Sequence, residues 1–185
     1  MKCGVLILFI CFNLFVFCPT SLAEEKGYHI GPGDVIEISV WKDPELSRNL
    51  VVPPDGIISF PLIGSIDVIP MTVPELRKIV TQKLSEFIPD ATVTVMLMQI
   101  NSLKAFVIGK VNEPGEFPID LETNVMQILA KAGGLNPFAS RGNIKILRQK
   151  DNKIIEIPFD YGEVEKGKNL QQNIILKTGD VVVVP

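Results

Sequence analysis

Hydrophobic and polar residues alternate in several short stretches of the chain, and helical spacing interrupts this pattern twice. The alternation over Ile36–Val40 and again over Ala91–Met98 predicts strands with one buried face. Between them, apolar residues recur every three or four positions from Leu76 to Phe87, which predicts a helix. Thr72 and Glu75 have the spacing of a capping box, so the helix is expected to begin there.

A hairpin is predicted around Asp55 and Gly56, because this dipeptide favours a tight turn between two strands. The flanking apolar runs, Leu50–Val52 and Ile57–Phe60, are the expected partners. The residues from Pro61 to Ile69 show no clear period and are expected to be irregular or extended.

The second half opens with a strand, Phe106–Ile108, and a tight turn at Pro114 and Gly115. Proline sets φ at the second position of a type II turn, and glycine supplies the positive φ that the third position requires. A type II turn is therefore predicted here, followed by a short second strand.

A second helix should follow, capped by Thr123 or Asn124. Gly133 fits the left-handed position that closes a helix, and Gly134 follows it directly. The apolar residues that recur at helical spacing between these ends are Val125, Ile128, Leu129 and Ala132.

A short echo links the two ends of the chain. Gly33 and Asp34 stand directly before the first predicted strand, and Gly179 and Asp180 stand directly before the last. In both places glycine allows a turn and aspartate caps it before extended structure resumes.

Each half thus carries several short strands and one main helix, which predicts an α+β fold of two small mixed-sheet modules. Asn101 and Ser102 form a plausible short linker between them. We expect the first domain over residues 24–100 and the second over residues 101–185.

The first 23 residues have the pattern of a secretory signal peptide. Lys2 precedes an apolar run, Val5–Phe17, that is too short to cross a bilayer. Cleavage is expected after Ala23, with an uncleaved anchor as the alternative. Its removal would take the formal net charge from −3 to −4, because the segment holds one lysine and no acid.

All three cysteines lie in this segment, so residues 24–185 offer neither a disulfide nor a thiol. Cys18 raises the alternative of lipidation. Phe15 and Phe17 argue against it, because a lipobox has an aliphatic and a small residue at those positions.

The remaining composition offers little catalytic chemistry. With a single histidine, His29, and no cysteine, the usual transition-metal sites are disfavoured. Asp34, Asp55 and Asp180 adjoin glycines, which favours turn roles over general acid–base pairs. The slight acidity gives no support for nucleic-acid binding. We therefore predict no enzyme and no catalytic, metal-binding or cofactor-binding residue.

Two aromatic residues are candidates for sugar contact. Tyr28 and Trp41 could each stack on the apolar face of a pyranose ring. For Trp41, at the end of a predicted strand, the pattern favours partly buried packing over sugar contact.

Several motifs, taken in order, resemble the bacterial outer-membrane polysaccharide export family. The segment Tyr28–Ile38 resembles the family's opening motif, and Val52–Gly64 resembles its second. Gly109–Gly115, followed by 132–134, is similar to the start of an SLBB domain, a β-grasp-like module, and Leu176–Pro185 is similar to its end. The resemblance covers nearly all of the chain after the N-terminal segment.

The resemblance implies a homo-oligomeric ring that conducts capsular polysaccharide or exopolysaccharide from the periplasm across the outer membrane. The implied partners are an inner-membrane polysaccharide co-polymerase and a separate outer-membrane barrel, with no cofactor and no nucleic acid. The sequence ends at Pro185 with one SLBB-like module and no C-terminal amphipathic helix. The expectation is a short periplasmic ring subunit; a monomeric periplasmic carbohydrate-binding module is the alternative.

Overall fold

A computed structural model describes residues 27–185 of the chain. The predicted signal peptide, its cleavage after Ala23 and the alternatives at Cys18 lie outside the described residues. Within residues 27–185, no helix is both long and apolar enough to cross a membrane.

The first module is built from five strands and one helix. Its main sheet is antiparallel in the order β2-β1-β5, and β3 pairs with β4 in a separate hairpin. The elements are β1 (Val35–Val40), β2 (Asp43–Val51), β3 (Ile57–Phe60), β4 (Gly64–Asp67), α1 (Val73–Leu84) and β5 (Val93–Gln99).

The second module is a five-stranded mixed sheet with one main helix. Its elements are β6 (Lys104–Gly109), β7 (Gly115–Pro118), α2 (Val125–Lys131), β8 (Ile144–Lys150), β9 (Lys153–Phe159), α3 (Tyr161–Glu165), a 3-10 turn (Leu170–Gln172) and β10 (Val181–Val184). The strand order is β7-β6-β10-β8-β9, and β10 runs parallel to β6 but antiparallel to β8. The first and last strands of the module, β6 and β10, lie side by side in the middle of the sheet, which is a β-grasp-like arrangement.

Each module has its own hydrophobic core. In the first, Ile36 and Ile38 of β1 are fully buried together with the inner face of α1. In the second, Val107 and Val182 of the central strands are fully buried together with the apolar face of α2. The fold is therefore α+β with two modules, as the periodicity predicts.

Helix α1 begins as its local sequence requires. Thr72 is the N-cap, its hydroxyl accepts from the Glu75 N–H, and the Glu75 carboxylate accepts from the Thr72 N–H at 2.7 Å. The Thr72 N–H and the Thr72 hydroxyl both donate to the Glu75 carboxylate, and these hydrogen bonds lower the pKa of Glu75. The helix ends at Leu84 and Phe87 is exposed, so the predicted apolar stripe is one turn too long.

The predicted pairing of Leu50–Val52 with Ile57–Phe60 is wrong. Strand β3 pairs instead with Gly64–Asp67, which lies inside the stretch expected to be irregular. Pro53 and Pro54 lack the N–H groups that a continuing ladder needs, so the chain turns away after Val51. Asp55 and Gly56 still make a turn, since Gly56 has φ of +75° and the Asp55 carboxylate accepts from the Ile57 N–H.

The predicted type II turn at Pro114 and Gly115 is also wrong. Gly115 does not adopt positive φ; it begins β7 and lies opposite Val107. The left-handed residue is Gly109, with φ of +96°, at the end of β6. A Cβ atom built there would lie 2.0 Å from the carbonyl oxygen of Val184. The close approach of the last strand, rather than a local turn, therefore demands glycine.

Helix α2 is capped at both ends by local bonds. Asn124, rather than Thr123, is the N-cap and forms a capping box with Gln127. At the other end the Gly134 N–H donates to the Leu129 carbonyl at 2.9 Å, and the Gly133 N–H donates to the Ala130 carbonyl at 3.1 Å. This pair of bonds is a Schellman motif.

Gly109 and Gly115 should differ in how strongly a substitution to alanine destabilises the chain. Gly109→Ala should destabilise the chain by about 2 kcal/mol or more, because the methyl group collides with a backbone oxygen at a left-handed position. Gly115→Ala should change stability by less than about 1 kcal/mol, because no atom lies within 4 Å of a Cβ there. Urea unfolding of both variants measures the difference, and equal losses would contradict the assignment of strain to Gly109.

Candidate functional site

A buried carboxylate joins the two modules. Asp34 closes the turn before β1 and is fully buried. One of its oxygens, Oδ2, accepts from the Gly31 N–H at 2.8 Å. The other, Oδ1, accepts from the backbone N–H groups of Asn101 and Ser102, each at 2.9 Å. Asp34 thus fixes the start of the connector between the modules.

The Tyr28 side chain completes this cluster. Its hydroxyl donates to Asp34 Oδ2 and lies 2.7 Å from Ser102 Oγ. Burial of the phenol and its hydrogen bond to the Asp34 carboxylate raise the pKa of Tyr28 to about 12. The hydroxyl is therefore hydrogen-bonded within the junction between the modules.

Asp180 repeats the turn of Asp34 in the second module. Its Oδ2 accepts from the Lys177 N–H at 2.8 Å, three residues earlier, as Asp34 does from Gly31. Gly33 and Gly179 both adopt positive φ, at +89° and +82°. The Gly-Asp echo therefore corresponds to one repeated turn with a buried aspartate.

The second buried carboxylate has a different partner. Arg148 of β8 holds Asp180 with two bonds, Nε to Oδ1 at 2.9 Å and Nη2 to Oδ2 at 2.6 Å. The hydrogen bond to Asp180 raises the pKa of Arg148. Arg148 also donates to the Ile175 carbonyl at 3.0 Å, so it ties β8 to the segment before β10.

Both turns meet at the connector. The Thr178 hydroxyl donates to the Ser102 carbonyl, and the Gly179 N–H donates to the Lys104 carbonyl at 2.8 Å. The connector, residues 101–104, is therefore bonded to Asp34 on one side and to the Thr178–Gly179 turn on the other. This double attachment fixes one module relative to the other.

An open cleft of about 1060 Å³ lies beside the connector. Its walls are more apolar than polar, and come from Tyr28, the connector, the segment after β7 and helix α2. The lining includes Tyr28, Ile100, Leu103, Leu121, Gln127 and Lys131. Two carboxylates, of Asp120 and Glu122, also line the cleft, so its surface is both apolar and charged.

Trp41 occupies a different place. The expectation that it is packed is wrong, since its side chain is 73% exposed at the turn between β1 and β2. The shallow depression beside it, about 280 Å³, includes the hydroxyl residues Ser39, Thr92 and Thr94. Trp41 stands at the far end of β1 from Asp34, so Trp41 and Tyr28 line separate cavities.

The other motif residues shape the backbone. Asp55 is exposed and bonds only its own turn, and Pro114 is exposed in the loop before β7. Within residues 27–185 no group of three or more histidine, cysteine, aspartate or glutamate side chains is placed to hold a metal ion. The aspartates that sequence patterns single out are thus engaged with backbone groups, with the Tyr28 and Ser102 hydroxyls and with one arginine.

Comparisons with known proteins match both modules. Residues 22–98 match the family model described as polysaccharide biosynthesis/export protein, and residues 103–184 match the SLBB domain. The two matched segments follow each other in the same order as the two modules.

Three curated proteins with similar sequences are also named as polysaccharide export or transport proteins. The EPS I polysaccharide export outer membrane protein EpsA of Ralstonia solanacearum is 28% identical over 87% of this chain and 48% of its own length. The polysialic acid transport protein KpsD of Escherichia coli is 30% identical over 85% of this chain and 28% of its own length. The capsule polysaccharide export outer membrane protein CtrA of Neisseria meningitidis is 25% identical over 81% and 42%. The chain spans about half the length, or less, of the curated relatives it matches.

The Asp34 cluster predicts a large loss of stability on a small change. Asp34→Asn should destabilise the chain by about 2–4 kcal/mol, because the amide NH₂ would face backbone N–H donors that need an acceptor. Asp55→Asn is the matched control, since this exposed carboxylate accepts one bond from its own turn; its effect should stay below about 0.5 kcal/mol. Chemical denaturation of both variants measures this, and comparable losses would refute the role of Asp34.

Tyr28 predicts a specific loss of stability in alkali. Its folded-state pKa of about 12 lies above the ordinary 10.0, so the folded chain binds the phenolic proton more tightly. The resulting stabilisation is complete below pH 10 and is lost as the pH rises from 10 towards 12. The unfolding free energy of the parent should therefore fall more steeply over this interval than that of Tyr28→Phe. Parallel pH profiles would show that the phenol is not perturbed.

Proposed function

We infer that the chain belongs to the family of polysaccharide biosynthesis/export proteins, and we propose that it is a subunit of an export channel for capsular polysaccharide or exopolysaccharide. In this proposal several copies form a ring around the passing polymer. The observation that carries it is the ordered pair of modules, an export domain joined to an SLBB domain, each with its own core. We place the domains at residues 24–100 and 101–185.

A passive role in transport agrees with the chemistry of the junction. The buried carboxylates of Asp34 and Asp180 are each occupied by several hydrogen bonds, so neither is available as a general acid or base. The relatives are transport and export proteins by name. We therefore propose that the chain is not an enzyme and conducts the polymer unchanged.

The proposed compartment is the periplasm at the outer membrane, reached with the N-terminal signal peptide. Two of the three relatives described above carry "outer membrane protein" in their names, which supports this location. The partners proposed are further copies of the chain, an inner-membrane polysaccharide co-polymerase and a separate outer-membrane barrel.

A rigid junction supports assembly into a closed ring. A ring closes only if every subunit presents its contact surfaces at the same angle. The attachment of residues 101–104 to both Gly-Asp turns fixes that angle within each copy. A flexible linker would instead spread the angle and favour open assemblies.

Trp41 is the residue that we propose to contact sugar. Its indole is exposed and stands next to four hydroxyl residues, an arrangement that suits a pyranose ring. Tyr28 offers only part of its ring to the cleft, because its hydroxyl is bonded to Asp34. We propose Tyr28 as a second, weaker contact.

Deletion of the gene tests the transport role. We expect surface polysaccharide to disappear while polymer synthesis inside the cell continues, and the parent chain supplied in trans should restore export. The measurement is surface and intracellular polysaccharide in the same cells. Unchanged surface polymer in the deletion strain would refute the proposal.

Complementation of that strain with Trp41→Ala tests the contact residue. Loss of a stacking aromatic should reduce exported polymer several-fold, by analogy with the ~1–3 kcal/mol that stacking on aromatic rings contributes elsewhere. Phe138→Ala is the matched control, since Phe138 is an exposed aromatic residue of the other module, 80% accessible. Equal export by both variants would exclude a contact at Trp41.

A further inference from the structure

Strand β5 lies at the edge of the main sheet of the first module. Its only hydrogen-bonded neighbour within the described residues is β1. The Trp41 N–H donates to the Thr92 carbonyl at 2.9 Å, and the register continues through Ser39 opposite Thr94. In an antiparallel ladder alternate residues bond to the same neighbour. Every second residue of β5 therefore directs its N–H and C=O away from β1.

The groups on this open side have no partner among residues 27–185. No hydrogen bond from another element reaches them, and their side chains face the core, so the backbone alone is presented at the edge. The residues whose N–H and C=O groups point to the open side are Val93, Val95 and Leu97.

The other edges of the two large sheets are protected against pairing. Proline and charged residues interrupt an edge, because proline donates no hydrogen bond and a charge resists burial. The protected edges are β2, with Pro44 and Glu45, β7, with Glu116 and Pro118, and β9, with Lys153 and Pro158.

Strand β5 has neither protection. The chain contains no charged residue and no proline from Ala91 to Leu103. Outward from the sheet, Met96 and Met98 are 44% and 51% exposed, which adds apolar surface next to the open backbone. A long, uncharged, partly apolar edge of this kind is a site for the addition of another strand.

We propose that the open edge of β5 is a contact between copies of this chain, in which a strand of a second copy extends the β2-β1-β5 sheet. Without the signal peptide the chain has a formal net charge of −4, so two copies repel each other least where the surface is uncharged. A partner of opposite charge would be recognised by charges, and this strand has none. The inference rests on the homo-oligomer of the proposed function and assigns one of its contact surfaces.

A charge placed on the edge tests the contact. Met96→Lys should raise the dissociation constant of the assembly by roughly tenfold or more, because a lysine on an edge strand opposes the addition of another strand. Val51→Lys is the matched control: Val51 is 63% exposed, lies on β2 at the opposite edge of the same sheet, and should change the constant by less than about twofold. Light scattering against concentration measures both. If Met96→Lys fails to unfold cooperatively, Thr94→Lys on the same exposed face replaces it.

Amide hydrogen exchange reads the backbone directly. The amides of Val93, Val95 and Leu97 should exchange at least tenfold more slowly in the assembly than in the dilute monomer, and protection should disappear in Met96→Lys. An assembly in which these amides exchange as in the monomer, and which Met96→Lys leaves intact, overturns the β5 contact and leaves the proposed ring standing. A parent chain that stays monomeric at every concentration overturns both.

Discussion

The Asp34 carboxylate is the interaction on which the arrangement of the molecule depends. It is fully buried, and its bonds reach residues of both the first module and the connector. A buried charge is costly unless it is fully hydrogen-bonded, and such bonds hold only when the donors stay in place. Any other position of the connector would leave this charge with too few hydrogen-bond donors, and would therefore cost free energy.

The local parts of this structure could be predicted from sequence, and the distant ones could not. The cap of α1 was predictable because Thr72 and Glu75 lie three positions apart. Asp34 and Asn101 are 67 positions apart, and no local pattern announces their bond. The echo of Gly-Asp indicated two similar turns but not that both would bond to the same connector. Arg148, the partner of Asp180, gave no sequence signal at all.

The wrong predictions have two kinds of cause. A type II turn at Gly115 was the best local reading of Pro-Gly, yet the position that requires glycine is decided by Val184, far along the chain. The pairing of β3 was assigned to the nearest apolar run, although two prolines deny that run its donors. The exposure of Trp41 likewise depends on what lies over the β1–β2 turn, which periodicity does not describe. The tertiary surroundings therefore decide the first and third of these features, and two local prolines decide the second.

The sites proposed for sugar and for a second copy follow from what remains after folding. Every aspartate of the motifs is used in a turn, which leaves an exposed indole, an uncharged strand edge and an open cleft as the features without an internal role. Such surfaces suit a polymer that slides and a neighbour that docks.

The central position of β10 has a consequence for the order in which the chain can become structured. The strands of the first module are complete at Gln99, so its sheet can form while the rest of the chain is still being synthesised. The second module has β10 between β6 and β8, and its sheet stays divided until Val181–Val184 arrive. Thr178 and Gly179 come almost as late, and they supply the second attachment of the connector. The angle between the modules is therefore the last property of the subunit to be set.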